Sequence, residues 1–169
     1  ALINEAVERA YAIVKEKNPD FPEDELENIA QTVGVSSIKY ADLSTNRTSD
    51  YIFSWDKLLA FEGNTAPYLL YAASRIQSIF RKIDPTELTD LESKASPFET
   101  DEEMTLARKI LEFVGALQVT IETLRPHMLS TYLYELSGAF SGFYNANKVI
   151  VDDPGQKARR IILCQRTLL

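Results

Sequence analysis

The sequence of 169 residues contains one cysteine, one histidine and six glycines, and each scarcity excludes a kind of site. A single cysteine, Cys164, cannot form an internal disulfide. Because it follows an apolar run at 161–163, we predict a buried structural thiol. One histidine and one cysteine far apart in sequence do not supply the clustered ligands of a metal site. The glycines are scattered singly and do not form a phosphate-binding loop.

The same scarcity bears on catalysis, because a nucleophilic triad needs a histidine or a substitute as its base. His127 is the only histidine, and it follows Pro126 at a predicted helix start, where we interpret it as a capping or packing residue. The acidic residues at 99–103 are typical of a helix N-terminus rather than of a catalytic pair of carboxylates. The sequence therefore predicts no catalytic, metal or cofactor site within this chain.

Long apolar runs are missing too, since no stretch approaches the roughly 20 uninterrupted apolar residues that span a membrane. The first ten residues carry acidic charge and lack the basic start and apolar stretch of a signal peptide. Hydrophobic residues nevertheless make up 45% of the chain, which is enough to bury a sizeable core. We therefore expect a soluble, cytoplasmic protein without a membrane partner.

Positive charge is scarce, and the formal net charge of −7 argues against a protein whose whole surface grips nucleic acid. We accordingly expect no DNA partner. Residues 1–56 carry a net charge of −6 and residues 57–143 one of −4, whereas residues 144–169 carry +3. A short basic end on an acidic domain fits a limited RNA contact, but charge alone favours an ordinary solvated helix.

Apolar residues recur with helical spacing over almost the whole chain, which predicts an all-α helical bundle. The segment at 44–50 is expected to be a polar loop, 51–53 is β-like but too short to found a sheet, and 84–101 is a polar connector. The last helix reaches Leu169 without a Gly or Pro stop signal, from which we expect a truncated chain. The predicted helices cover, approximately, residues 1–17, 23–40, 54–59, 65–83, 107–124, 126–145 and 156–169.

The helix predicted at 65–83, capped by Thr65 or Asn64, has two distinct faces about 120° apart. The expected core face consists of Leu69, Ala72, Ala73, Ile76 and Phe80. The other face carries Tyr68, Tyr71, Arg75, Ser78 and Lys82. Two aromatic rings above two cations can stack unpaired bases and neutralise phosphates. Spacing alone favours another interpretation, in which the tyrosines lie at the core margin beside solvated charges.

Tyr144 lies at the end of the helix predicted at 126–145, away from the centre of its apolar face, and Lys148 follows in the next loop. The basic residues beyond it are Lys157, Arg159, Arg160 and Arg166. A tyrosine at a helix end beside a basic helix can stack a base. The alternative is a tyrosine that covers the edge of the core.

Several runs of residues are more specific than their spacing. They are KYADLS at 39–44, NRTSDYIF at 46–53, LAFEGNTAPYLLYAASR at 59–75, PH at 126–127, YLYEL at 132–136, FSGFY at 140–144 and RRIILC at 159–164. Together they resemble the arginyl-tRNA synthetase family, over nearly all of the chain, and the segment at 61–75 is the most specific part. The resemblance implies the helical anticodon-binding bundle of the DALR type found in class I aminoacyl-tRNA synthetases.

The resemblance also implies an arginine–tRNA ligase as the parent protein, which uses ATP with magnesium to join arginine to its tRNA. The family's HIGH-type and KMSKS-type nucleotide-binding signatures are not in this sequence, which also stops before the family's terminal residues. We therefore expect a piece that is inactive alone and needs no cofactor of its own. Residues 1–56 are expected to connect the catalytic core to an anticodon-binding bundle at 57–169.

Tyr71 and Tyr144, by the same resemblance, correspond to aromatic positions that face anticodon-loop bases, and Arg75 and Arg160 to contacts with the RNA backbone. The predicted tRNA-binding set is Tyr68, Tyr71, Arg75, Tyr144, Lys148 and Arg160. The expected partners are the anticodon loop of an arginine tRNA and the catalytic domain of the same parent chain.

A helical protein-interaction module without RNA binding is the alternative, which the net charge and the exposed tyrosines permit. Tyrosines and basic groups that converge on one face favour RNA, whereas a flat apolar patch favours a protein partner.

Overall fold

The computed structural model describes residues 1–168, and in that part of the chain the fold is all-helical, as predicted. The α-helices are α1 (Leu2–Lys17), α2 (Glu23–Ser44), α3 (Trp55–Leu58), α4 (Ala66–Phe80), α5 (Leu91–Lys94), α6 (Asp101–Leu111), α7 (Phe113–Thr123), α8 (Pro126–Ala146) and α9 (Pro154–Leu168), with a 3-10 turn at Pro85–Leu88. No helix within residues 1–168 is long and apolar enough to cross a membrane.

The first two helices form a hairpin that has its own small core. Ala6, Ala10 and Val14 give α1 a buried stripe of small side chains, so that α2 can lie close to it. Gly34 of α2 marks the closest approach, since a Cβ at this position would lie 2.8 Å from the backbone of Val7. The hairpin is therefore packed backbone against backbone at this point.

A second and larger core lies where α4, α6, α8 and α9 meet. Its fully buried side chains include Ile76, Leu106, Phe140, Phe143 and Ile161. Cys164 is buried among them, and burial raises the pKa of its thiol to about 12, which confirms the predicted structural thiol. This core fixes α4 and α8 side by side, and both carry residues of the predicted tRNA-binding set.

Tyr40 joins the N-terminal hairpin to the larger bundle. Its hydroxyl donates to the carbonyl oxygen of Ser130 in α8 at 2.9 Å and lies 2.6 Å from the side-chain amide of Asn64. Burial raises the pKa of Tyr40 to about 12, so the phenol keeps its proton at neutral pH. The contact ties the end of α2 to the loop that precedes α4.

One predicted helix, at 107–124, is two helices in the structure. The regular helix is interrupted at Glu112, and Phe113 in the first turn of α7 contacts Tyr132 of α8, with ring centroids 5.8 Å apart. The apolar residues predicted to form one face over 107–124 are not all buried. The exposed ones are Leu111, Val114, Ile121 and Leu124.

Candidate RNA-binding surface

The tyrosine-bearing face of α4 is positioned by the way this helix starts. Thr65 caps it, with its side chain accepting a hydrogen bond from the backbone N–H of Tyr68, and Pro67 lies in the first turn. Ile76 and Ala72 are buried on the opposite side, as predicted. The cap and the core together fix the direction in which Tyr71 and its neighbours project.

Arg75 brings α4 and α8 together at the surface. Its guanidinium carbon lies 4.3 Å from the ring centroid of Tyr71, one turn earlier on α4, and 4.9 Å from that of Tyr144 on α8. The guanidinium also donates a hydrogen bond to the Tyr71 hydroxyl. Among residues 1–168 no carboxylate oxygen lies within 4.0 Å of Arg75, so its charge is met only by the two rings.

Both tyrosines stay accessible in this arrangement. Tyr71 is 47% exposed and Tyr144 is 36% exposed. Tyr144 is supported from below by Phe140, with ring centroids 5.8 Å apart, and Phe140 itself is fully buried. We call Tyr71, Arg75 and Tyr144 the tyrosine–arginine cluster. It is a rigidly supported aromatic surface with a cation at its centre.

Tyr68 takes a different position from Tyr71. It is half-buried, its hydroxyl lies 3.4 Å from that of Ser141, and its ring lies 5.7 Å from that of Tyr134. It therefore sits at the margin of the core between α4 and α8, the alternative that spacing alone favoured, beside the tyrosine–arginine cluster. Lys148 is exposed in the loop after α8, and no acidic partner lies within 4.0 Å of it in the described chain.

Arg160 does not belong to this surface, which corrects its predicted RNA-backbone contact. The residue is only 7% exposed. Its Nε donates to Glu103 at 2.7 Å, Nη1 to the carbonyl oxygen of Lys148 at 2.7 Å, and Nη2 to Asn147 at 3.1 Å. Because every guanidinium nitrogen contacts protein in the interior, a phosphate has no access to it.

Glu103 is the centre of a buried ionic cluster that the sequence did not predict. It is fully buried, accepts from Arg160, and lies 3.1 Å from the Nε of Arg159, which is also buried. It also completes a capping box with Thr100 at the start of α6. Burial by itself would raise the pKa of Glu103, but hydrogen bonds from both arginines and from the backbone N–H of Glu99 and Thr100 outweigh it, so the pKa is lowered.

The sequence indicates one part of this cluster, the capping box, but not the ion pairs. Thr100 followed by Glu103, just before an apolar helix, is the capping-box pattern. The acidic run at 99–103 is indeed a helix N-terminus, yet the pattern does not reveal that arginines 56 and 57 residues further on pair with Glu103. His127 is half-buried in the first turn of α8, and its Nδ1 is buried without a hydrogen-bond partner among the described residues.

The described residues thus include both a surface of the kind expected to bind RNA and a surface of the kind expected to bind a protein. Aromatic rings and a cation converge where α4 meets α8, whereas α7 exposes Val114 and Ile121 at 71% and 62%. The converging rings and cation are the arrangement expected of an RNA-binding helical bundle.

Comparison with known proteins specifies the class further. Residues 69–168 match the DALR anticodon binding domain, and residues 1–55 match the catalytic domain of class I tRNA synthetases (R). The chain therefore belongs to the DALR anticodon-binding domain family, joined to a segment of the class I synthetase catalytic domain. This membership does not favour the protein-interaction alternative.

Individual relatives agree with this family. The chain is 49% identical over 167 residues to an arginine–tRNA ligase of Shewanella denitrificans and 47% identical to one of Enterobacter sp. (strain 638), covering 98% of this chain and 28% and 29% of those proteins. Two arginyl-tRNA synthetase structures, from Thermus thermophilus and Plasmodium falciparum, superpose with TM-scores of 0.84 and 0.83 at 33% identity. They cover 99% and 98% of this chain and 29% of each structure. The chain thus spans less than a third of these relatives' length.

Proposed function

We propose that this chain recognises the anticodon loop of an arginine tRNA on behalf of an arginine–tRNA ligase. The observation that carries the proposal is the tyrosine–arginine cluster, in which two accessible rings from different helices share one cation. Unpaired bases of an RNA loop stack on such rings, and the guanidinium plane is itself a stacking and phosphate-binding group. Membership of the DALR anticodon-binding domain family supports a tRNA as the bound RNA.

Alanine at Tyr71 or Tyr144 tests this proposal in the full-length protein. Because stacking is worth about 1–3 kcal/mol per base, we expect either variant to raise the Kd for arginine tRNA about 5- to 150-fold. Tyr51→Ala is the matched control, since Tyr51 is equally exposed but lies outside the cluster. Unchanged affinity in both cluster variants, with the fold intact by circular dichroism, would remove the cluster from the RNA-binding site.

Lys148 gives an electrostatic test of the same surface. As an exposed cation without a close acidic partner, it is proposed to contact an RNA phosphate. We expect Lys148→Gln to lower the slope of log Kobs against log salt by about 0.7, the value for one phosphate of a single strand. The measurement is tRNA titration at several salt concentrations. A slope equal to that of the unaltered protein would contradict a phosphate contact.

The catalytic step belongs to the parent protein rather than to these residues. Class I synthetases use ATP, and we propose the same for the protein that carries this chain, with magnesium as the accompanying ion. Among residues 1–168 no group of three or more His, Cys, Asp or Glu residues is placed to hold a metal ion. We also propose that residues 1–56 connect the catalytic core to an anticodon-binding bundle at 57–169. The chain would associate with the catalytic domain of its own parent protein, and that protein would be cytoplasmic.

A further inference from the structure

A cavity of about 570 Å³ opens where α1, α2 and α4 meet, next to the tyrosine–arginine cluster. Tyr71 belongs to both, because it lines the cavity and also contacts Arg75. The apolar floor consists of Val14, Ile29 and Val33. A volume of this size lies within the range of about 300–1,000 Å³ that is usual for small-molecule sites.

Two aromatic rings line this cavity. Phe61, in the segment before α4, is 38% exposed, and Tyr71 is 47% exposed. Flat rings beside an apolar floor suit a planar, unstacked nucleobase, because every base has a π-face that stacks on such rings.

The polar groups of the cavity suit the edge of a base. Asn18 donates its side-chain amide hydrogen to the carbonyl oxygen of Val14 at 3.1 Å, which leaves its amide oxygen as an acceptor. Ser74 donates to the carbonyl oxygen of Tyr71 at 3.0 Å, so its hydroxyl oxygen also remains an acceptor. Donor groups on a base edge find their partners in acceptors of this kind.

A cation completes the site. The Lys17 ammonium lies 5.2 Å from the ring centroid of Phe61, and no carboxylate oxygen of the described residues lies within 4.0 Å of it. This pair has the same composition as Arg75 with Tyr71, an aromatic ring next to a positive charge without an acidic partner. Tyr71 connects the two pairs, because it contacts Arg75 and also lines the cavity together with Phe61 and Lys17.

We propose that this cavity binds a second unstacked base of the same RNA loop, beside the base that stacks on the tyrosine–arginine cluster. The inference rests on the proposed function and names a subsite for it. Phe61 stacks the base, Asn18 and Ser74 accept hydrogen bonds from its edge, and Lys17 meets the adjoining phosphate. A base bound here contacts both matched segments, since Lys17 and Asn18 lie in 1–55 and Tyr71 and Ser74 in 69–168.

The test combines a protein variant with altered RNA. Phe61→Ala in the full-length protein is titrated with an arginine tRNA transcript and with a panel of transcripts that each lack one base of the anticodon loop. We expect the variant to bind the intact transcript about 5- to 150-fold more weakly. For one abasic position the effect of Phe61→Ala should disappear, and this position should differ from the one at which Tyr144→Ala loses its effect. Phe61→Tyr, which keeps the ring, should bind normally.

Matched variants keep the result interpretable. Phe98→Ala removes a ring of similar exposure elsewhere on the surface and should leave the affinity unchanged. Phe61→Leu removes the flat ring while keeping its bulk, and it replaces Phe61→Ala if that variant does not fold. An effect of Phe61 variants that is below twofold, or that persists with every abasic transcript, would overturn the cavity proposal. If Tyr144→Ala keeps its effect in that case, only this subsite fails; if Tyr71 and Tyr144 variants are also silent, the proposed function itself fails.

Discussion

Replacing Glu103 with glutamine is expected to lower the free energy of opening of α6 and α9 by about 3 to 5 kcal/mol. The substitution removes the negative charge between Arg159 and Arg160, which are 2% and 7% exposed. It leaves Arg160 without a carboxylate partner and Arg159 with only the exposed Glu99. The measurement is hydrogen exchange of the amides of α6 and α9 in the full-length protein, which reports this free energy locally.

Glu92→Gln is the control for this experiment. Glu92 pairs with Arg166 at 3.1 Å, but both side chains are largely exposed, so the pair is worth about 0–1 kcal/mol. Equal effects of the two substitutions would mean that burial of the Glu103 cluster does not determine its contribution to stability.

The same cluster predicts a dependence of stability on pH. The pKa of Glu103 in the folded protein is lower than its ordinary value of 4.5, because the hydrogen bonds to its carboxylate outweigh the cost of burial. The stabilisation is therefore fully present above the ordinary pKa and is lost as pH falls through the folded-state pKa. Glu103→Gln should remove this part of the acid sensitivity, which hydrogen exchange near pH 4 and pH 7 would measure.

Gly34→Ala is expected to be destabilising, although alanine is the better helix former. In an unobstructed helix the change from glycine to alanine gains about 1 kcal/mol. At Gly34, however, the new methyl group would lie 2.8 Å from the backbone of Val7, so α1 and α2 must separate, at a cost of about 1–3 kcal/mol for overpacking.

Gly138→Ala is the control, and we expect it to change helix stability in the opposite direction. A Cβ at Gly138, in α8, has no neighbour within 4 Å, so this substitution should stabilise its helix by up to about 1 kcal/mol. Because the gain in helix propensity is common to both variants, we expect them to differ by the overpacking cost alone, about 1–3 kcal/mol in the opening free energies of their helices, again from hydrogen exchange. A stabilising Gly34→Ala would show that the helices of the hairpin separate at little cost.

The parts of the fold that follow from local chemistry were predictable. Thr65 and Pro67 set the start of α4, and the period of the apolar residues correctly assigned Ile76 to the core. That same period placed Tyr71 and Arg75 on a common face, where they are in contact. Short-range rules suffice here because caps and helical faces depend on residues within one or two turns.

Features that depend on distant partners were not predictable in this way. A basic residue such as Arg160 is normally exposed, and its burial depends on partners distant in sequence, above all Glu103 on another helix. Likewise, the sequence does not show that the neighbouring helices cover only part of the apolar stripe at 107–124, so that Leu111 and Val114 are exposed. The approach of Arg75 to Tyr144 required the packing of α4 on α8, which spacing within one helix does not contain.

Burial of Cys164 has a practical consequence for site-specific labelling. A thiol with a pKa of about 12 and no exposed surface has almost no reactive thiolate at neutral pH, and reagents cannot reach it. Because this chain has no other cysteine, a new one at an exposed position such as Lys82 would be its only thiol open to a fluorophore or spin label. The turn that follows α4 can thus carry a probe without removal of the native cysteine.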